Sequence, residues 1–381
     1  MGATAVACFG SDYVASITPI GSPYQEPTAV SRDGSVVVGR PGFRLQAPAV
    51  PQSLPSPAGY GTPEPLCVSE DGATIVGSSR DPTNGYIATV WNSAGVVAGT
   101  PWRGVATSCS SDAQVVVGYQ VTGQYGTGPY FAVRWTPSDG AVPLTTPVGT
   151  TYSEASSVSA NGGLVGGWFL RPGQDWRAAC WIGAGDFVEL AMPPGHYQSR
   201  VTAVSGDGNL IVGYAASGGY TGTIWSTDGS LSGSTPGFVP QGVSYDGAVI
   251  VGSVFNAAGG IATRWTAASG RVNLLDYLRA KGANAAGWSS LWSADDVSGD
   301  GKVIVGFGTY NGQEHIGFVA FAPLECPGDL FVDGQVNGAD LGVLLSQWGP
   351  ATQATVSDIN GDGVVNGADL GILLSNWGAC P

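Results

Sequence analysis

Val204-Ser205-Gly206-Asp207-Gly208-Asn209-Leu210-Ile211-Val212-Gly213 decides the architecture, because its pattern is one of seven copies along the chain. An apolar residue precedes Ser-x-Asp-Gly, and a Val/Ile-rich run then stops at glycine. The copies open at Ser31, Ser69, Ser110, Ser159, Ser205, Ser244 and Ser298, spaced 38 to 54 residues apart. Two have drifted, to Ser110-Ser-Asp112-Ala and Ser159-Ala-Asn161-Gly. Further on, most copies carry a short strand closing on Trp, as at Trp91, Trp135, Trp181, Trp225 and Trp265. A fixed period of this size marks stacked or radially repeated units.

Each unit reads as four short antiparallel strands. In one copy they are Val201-Thr-Ala-Val-Ser, Asn209-Leu-Ile-Val-Gly, Thr221 to Trp225 and Ser230-Leu-Ser-Gly. Asp-Gly turns between alternating apolar residues are the hairpin signal. Four strands per unit, seven times, predicts an all-β fold, a seven-bladed β-propeller over residues 1–323. The last unit ends after three strands, at Gly317-Phe-Val-Ala-Phe321, while Tyr13-Val-Ala-Ser-Ile-Thr precedes the first serine. That leftover strand is in phase to complete the seventh blade. A right-handed β-solenoid is the rival architecture. One insertion, residues 273–297, begins with Asn273, which can cap a helix that stops at Gly282.

The repeated Ser and Asp are read as turn chemistry, since both accept backbone hydrogen bonds and Gly takes the left-handed conformation. The five in-phase Trp are read as core between blades. Trp102, Trp168, Trp176, Trp288 and Trp292 fall off that phase and are candidates for stacking on a ligand.

The last fifty-odd residues carry a second duplication. Asp329, Asp333, Gln335, Asn337 and Asp340 recur 29 positions later as Asp358, Asp362, Val364, Asn366 and Asp369, with Asn360 added in the second copy. These are positions 1, 5, 7, 9 and 12 of a twelve-residue loop, plus position 3, the spacing that gives a hard cation six or more oxygens. Gln335 and Val364 contribute backbone carbonyls. Gly363 stands at position 6, where the loop must turn sharply. Two calcium ions are expected, the second held more strongly because Phe331 stands where the first loop needs an oxygen. Leu341, Leu344, Leu345 and Trp348, like Leu370, Leu373, Leu374 and Trp377, have helical spacing, so each loop should run into a helix, with the two apolar stripes packing together. Gly349 and Gly378 are the expected left-handed C-caps. Cys326 and Cys380 bracket the segment, and a disulfide between them would clasp its ends, supporting a module too small to be comfortably stable alone.

From Cys326 to Pro381 this segment resembles a type I dockerin, a duplicated calcium module that docks onto a cohesin domain. The resemblance implies a small all-α module at residues 324–381, with Gly338, Ala339, Gly367 and Ala368 (loop positions 10 and 11) selecting the partner. Residues 28–322, with the closing stretch around Val297-Ser-Gly-Asp-Gly-Lys-Val-Ile-Val-Gly306, resemble extracellular HAF-repeat proteins of bacteria. That likeness implies a secreted or cell-surface location and brings no agreed activity.

Composition bounds the function. Net charge is −14, with 28 acidic against 14 basic residues, which disfavours nucleic acid as a partner. No apolar run is long enough to span a membrane, and residues 1–9 lack the basic start of a signal peptide. Neither His196 nor His315 sits in a metal or triad context; His315, in Asn311-Gly-Gln-Glu-His315, reads as a solvated turn residue. No nucleophile elbow, phosphate loop or dinucleotide motif is present. Catalytic residues are therefore unassigned, although Asp175, Asp186, Glu189, Asp276, Asp295 and Glu314 are the carboxylates off the turn motif from which a glycosidase pair would be drawn. The leading expectation is a secreted, non-catalytic binding or scaffold propeller attached through its dockerin-like module. A carbohydrate-active enzyme, either a glycoside hydrolase or a polysaccharide lyase, and a structural surface-layer protein are the alternatives. Two carboxylates converging in a groove beside an off-phase Trp would mark the enzyme.

Overall fold

The computed structural model describes residues 15–46, 50–81, 85–99, 101–123, 128–183, 185–256, 259–323, 326, 328–330, 335–351, 357–360 and 363–379. Seven four-stranded antiparallel sheets form a β-propeller. The innermost strands of blades 1 to 7 are Glu26–Val30, Pro63–Val68, Gly104–Cys109, Tyr152–Val158, Gln198–Val204, Phe238–Val243 and Trp288–Val297. Blade 7 takes its outermost strand from the N-terminal side: Ser16–Ile20 pairs antiparallel with Gln313–Phe321, Ile17 opposite Ala320 and Ile20 opposite Gly317. The ring thus closes with the leftover strand, as its phase predicts. Pro19 fits there because an outermost strand has one unpaired edge.

The repeat sequence is explained by what it does in each blade. The repeat serine is buried in all seven copies. Its hydroxyl donates to the turn Asp or Asn (Ser205 to Asp207 at 2.6 Å) and accepts the N–H five residues on (Leu210, 2.9 Å). The variable residue of Ser-x-Asp-Gly ties blade to blade. Backbone bonds run from Glu70 to Ser111, Ser111 to Ala160, Ala160 to Gly206, Asp207 to Tyr245, Tyr245 to Gly299 and Gly299 to Arg32, each 2.8 or 2.9 Å. The Arg32–Glu70 ion pair, 2.8 Å, spans the remaining step. The motif is a girdle around one end of the axis.

The closing glycine of the repeat has a steric cause. Every innermost strand carries a register shift three residues before its serine, at Thr28, Leu66, Thr107, Ser156, Thr202, Gln241 and Asp295. A bulge of this kind bends the strand and disturbs the ladder locally. It presses the carbonyl of the residue two earlier against the neighbouring strand, where a Cβ on Gly39, Gly77, Gly118, Gly167, Gly213, Gly252 or Gly306 would collide with it. Trp91, Trp181 and Trp225 are fully buried, and each indole donates to a carbonyl just ahead of its own blade, Pro55, Thr145 and Ala191. These in-phase Trp are inter-blade core. The inserted helix α1, Leu274–Ala280, is capped by Asn273, whose Oδ1 accepts from Leu275 and Asp276. Leu274, Leu275 and Leu278 bury it against blade 7 residues such as Trp288 and Leu291.

The C-terminal segment departs from the all-α expectation. It holds two nine-residue helices, α2 (Gly338–Ser346) and α3 (Gly367–Ser375), together with two small antiparallel ladders. Gln335–Val336 pairs with Gly378–Ala379, and Gly349–Pro350 pairs with Val364–Val365. Each loop is therefore stitched to the tail of the other repeat. The cause lies in Gly349 and Gly378, whose φ values of 123° and 126° carry the chain away extended, while Gln347 and Asn376 form the C-caps.

Candidate functional site

Opposite the Ser-x-Asp-Gly girdle, the seven copies stop agreeing. The position five residues before the repeat serine faces the residue just after the repeat glycine, giving seven cross-strand pairs: Glu26/Arg40, Glu64/Ser78, Val105/Tyr119, Glu154/Trp168, Arg200/Tyr214, Val239/Ser253 and Ser293/Phe307. Within each copy, fold-determining residues lie on either side of these positions, yet the pairs themselves differ in charge, size and aromaticity. The repeat's shared structure therefore leaves this rim free to carry individual chemistry.

Two clusters stand out on it. In the first, Glu26, Thr28, Arg40, Gln241, Asp295 and Phe307 line a cavity of about 270 Å³ fed by blades 1, 2, 6 and 7. Asp295 is the bulged residue of blade 7, and its carboxylate accepts from Ser293 Oγ at 2.5 Å. Burial pushes its pKa up to about 7, with Glu26 and Asp296 adding to the rise and Ser293 and Arg40 opposing it. Asp296 accepts from the Val30 and Val297 N–H groups at 2.9 and 2.8 Å, yet burial pushes it up to about 6. His315 is no solvated turn residue. It lies in the strand Gln313–Phe321 at φ +58°, its Nδ1 is 2.5 Å from Glu26 Oε1, and its ring stacks between Tyr24 and Phe307 at 5.2 and 5.5 Å. Trp292 meets the imidazole edge-on at 5.1 Å.

In the second cluster, Arg200 lies over two indoles, 4.5 Å from the Trp168 ring centre and 3.7 Å from that of Trp176. Stacking of a guanidinium on Trp faces is among the stronger cation–π arrangements. Burial pushes Glu154 up to about 7, against the pull of Arg200 and a hydrogen bond from Trp168. Tyr130 packs on Trp168, Tyr119 and Tyr152, with ring centres 4.8 to 6.0 Å apart.

The stacking candidates separate accordingly. Trp102, Trp168 and Trp288 are buried, Trp102 donating to the Tyr119 carbonyl at 2.9 Å. Trp176 and Trp292 are half-buried and flank the two clusters. Of the carboxylates off the turn motif, Asp175, Asp186, Glu189, Asp276 and Glu314 are exposed; Glu189 pairs with Arg171 and Asp276 with Arg279, both at 3.7 Å. Asp295 lines the rim cavity. His196 contacts Thr221 Oγ1 at 3.0 Å, away from both clusters.

In the C-terminal segment, Asp340 and Asp369 are solvent-inaccessible and cap α2 and α3. Asp340 accepts the Asn337 N–H at 2.8 Å. Asp369 accepts from Ile359 and Asn360 on one oxygen and from Asn366 on the other, at 2.8 to 3.2 Å. Burial raises its pKa, but these N–H groups outweigh it and hold the carboxyl below the ordinary range. Asp358 accepts from Gly363 at 2.9 Å, so the position-6 glycine (φ +87°) folds the loop back over its first ligand. Asp329, Gln335, Asn337, Asn360, Val364 and Asn366 complete the described donors, all oxygens. This set fits a hard cation such as calcium. Asp333, Asp362 and Phe331 lie outside the described residues, and among those described no three His, Cys, Asp or Glu converge. Cys326 is disulfide-bonded, and its expected partner, Cys380, is likewise outside them. Gly338, Ala339, Gly367 and Ala368 form the first turns of the two helices.

The stripes divide rather than pack wholly together. Leu344 and Leu373 are fully buried with Val336 and Val365 between them, and Leu341 and Leu370 pack partly against this core. Leu345, Trp348, Leu374 and Trp377 remain 50 to 54% exposed.

Architecture and rim together define a seven-bladed β-propeller with a duplicated helical appendage. No protein-family model matches the sequence, and no curated protein matches it. Among solved structures, the propeller is similar to TolB from Acinetobacter baumannii, with 14% identity and a TM-score of 0.44, over 68% of this chain and 63% of that one. It is also similar to a prolyl endopeptidase, with 12% identity and a TM-score of 0.49, over 82% of this chain and 51% of the other. This chain thus spans about half to two thirds of those proteins' lengths, and the likeness is one of fold.

The half-buried acids Glu154, Asp295 and Asp296 set a pH dependence. Their folded pKa values lie above those of the unfolded chain, so between about pH 4 and 7 the native state binds more protons and stability falls as pH rises. Each is partly exposed to solvent, so each contributes only on the order of 1–3 kcal/mol. The turn carboxylates Asp33, Asp71, Asp112 and Asp207 are held low by hydrogen bonds from their turns, those of Asp33 and Asp207 outweighing burial, and act oppositely, losing stability below about pH 4. Thermal melts should therefore peak near pH 4–5 and decline towards pH 8, with Asp295→Asn flattening the decline. A melting temperature that climbs from pH 5 to 7.5 would contradict this account.

Proposed function

We propose that this protein is a secreted recognition propeller, held by its C-terminal calcium-dependent module to a cohesin-type or cell-surface partner. The observation that carries the docking half is the repeated exposure of Leu345 with Trp348 and of Leu374 with Trp377. Large apolar side chains left in water twice, at equivalent positions, stabilise nothing within the chain and suit a protein interface rich in Trp and Leu. Calcium, if bound, neutralises the loop carboxylates that position these helices; Asp358 and Asp369 are the residues that would hold it in the second loop. The recognition half rests on the rim, where Glu, Arg and aromatic side chains alternate on a rigid frame. Such a surface suits a polyhydroxylated ligand, polysaccharide above all, through carboxylate hydrogen bonds and ring stacking.

The experiment is capture from the native secretome with the full chain, with and without chelator. A protein partner retained only in calcium, and lost with the paired changes Trp348→Glu and Trp377→Glu, is the expected result. Equal capture by the paired variant would refute the docking surface.

A second reading, a glycoside hydrolase, is favoured by one specific arrangement. Glu26 and Asp295 line one cavity beside Phe307, with His315 on Glu26 and Trp292 next to it. Two carboxyls in one cavity, one with its pKa raised to about 7, are the kind of pairing that glycoside cleavage uses. Reducing-end release from polysaccharide, lost in Asp295→Asn, would move the assignment to this class.

A further inference from the structure

We propose that Cys67 and Cys109 form a disulfide that staples blade 2 to blade 3 through the wall of the central channel. Both are thiols here, with their Sγ atoms 2.8 Å apart, and both line the channel cavity at the girdle end. Thiolates sharing a tetrahedral metal stand ~3.8 Å apart, so this spacing leaves no room for an ion between them.

The repeat shows that the pair is an exception to a rule. In three other blades, the side chain two residues before the blade's serine accepts from the N–H one residue before the next blade's serine. Ser108 accepts from Val158 at 3.3 Å, Ser157 from Val204 at 3.1 Å, and Asp296 from Val30 at 2.9 Å. Cys67 Sγ makes the same contact with the Cys109 N–H, at 3.2 Å. The residue before the serine is Val in six of the seven copies, and Cys109 is the departure. It stands against the one Cys found at the position two before a repeat serine.

The chemistry is thiol–disulfide exchange with an external disulfide. Cys67, half-buried on the channel, attacks one sulfur of the oxidant as thiolate, forming a mixed disulfide and releasing one thiol. Cys109 is buried, and its hydrogen bond to Cys67 together with burial holds its thiol well above the usual range, so it acts second. Losing its proton, it attacks Cys67 Sγ and expels the second oxidant thiol. Two electrons pass to the oxidant, and the two protons end on its thiols.

The test is peptide mapping of the full chain after incubation with oxidised glutathione and alkylation under denaturing conditions. A Cys67–Cys109 linked peptide, lighter by two hydrogens than the separate thiol peptides, is expected. Cys67→Ser and Cys109→Val install residues that the repeat itself uses at these positions, so both variants should fold. Oxidised wild type should melt higher than either variant by on the order of 5 °C, and dithiothreitol should erase the difference. Full alkylation of both cysteines in the oxidised folded protein, linkage of either to Cys180, or a melting difference that persists in dithiothreitol would overturn the proposal.

Discussion

Removing residues 1–20 is expected to abolish the propeller's cooperative melting and to leave a protein that self-associates. The strand Ser16–Ile20 forms five residue pairs with Gln313–Phe321, and Ile17 and Ile20 are buried, joining two different core clusters. Its loss strips the closing blade to three strands and exposes the edge of Gln313–Phe321, whose Ile316, Phe318 and Ala320 belong to that core. An unpaired apolar edge is a template for another chain. Burial of two Ile side chains alone accounts for roughly 3–6 kcal/mol, a large part of a typical domain's 5–15 kcal/mol. Size-exclusion chromatography and thermal melting decide it. A monomer melting within about 2 °C of the full chain would mean that the ring does not depend on this strand.

Chelation with reduction is expected to unfold residues 326–381 while the propeller still melts as one cooperative unit, its transition lowered only by the loss of any Cys67–Cys109 link. The module has a small core, Val336, Leu344, Val365 and Leu373, with Cys326, Leu330, Leu341, Ala351, Ile359 and Leu370 partly buried against it. Binding energy at a site absent from the unfolded chain becomes folding energy. Cys326 is disulfide-bonded, and with the expected partner Cys380 that bond would close most of the segment and add on the order of 2–4 kcal/mol. Helical signal and the emission of Trp348 and Trp377 should collapse in EDTA with dithiothreitol, and Asp362→Ala should shift the calcium titration towards weaker binding more than Asp333→Ala does. A module still helical without calcium and disulfide would remove the basis for calcium-dependent docking.

Blade number and ring closure were legible because the same turn chemistry is written seven times, and the α1 cap was legible because Asn273 precedes an apolar run. The rim was not. Glu26 meets Arg40 and His315 through register and closure, and His315 lies 289 residues from its carboxylate. A signal was nonetheless available: aligning the seven copies shows where they cease to match, and that position is the rim. Asp295 shows in the sequence only as a carboxylate off the motif, since the bulge that carries it leaves its mark at a distance, on Gly306. Leu341, Leu344 and Leu345, like Leu370, Leu373 and Leu374, lie in the helices their spacing predicts, while Trp348 and Trp377 fall beyond them, and spacing alone does not say which half of a stripe finds a partner. Leu344 does, and Trp348 remains half in water.

The closing strand also sets a timetable for biosynthesis. Ser16–Ile20 is synthesised about 300 residues before its partner, Gln313–Phe321. At roughly 5–20 residues per second, that is a wait on the order of 15–60 s. During it, blades 1 to 6 can assemble in order, each on its neighbour, while the first segment stays unpaired. Completion is thus a single late event joining the two ends of the β-rich region, and a chain stalled before residue 313 cannot reach it.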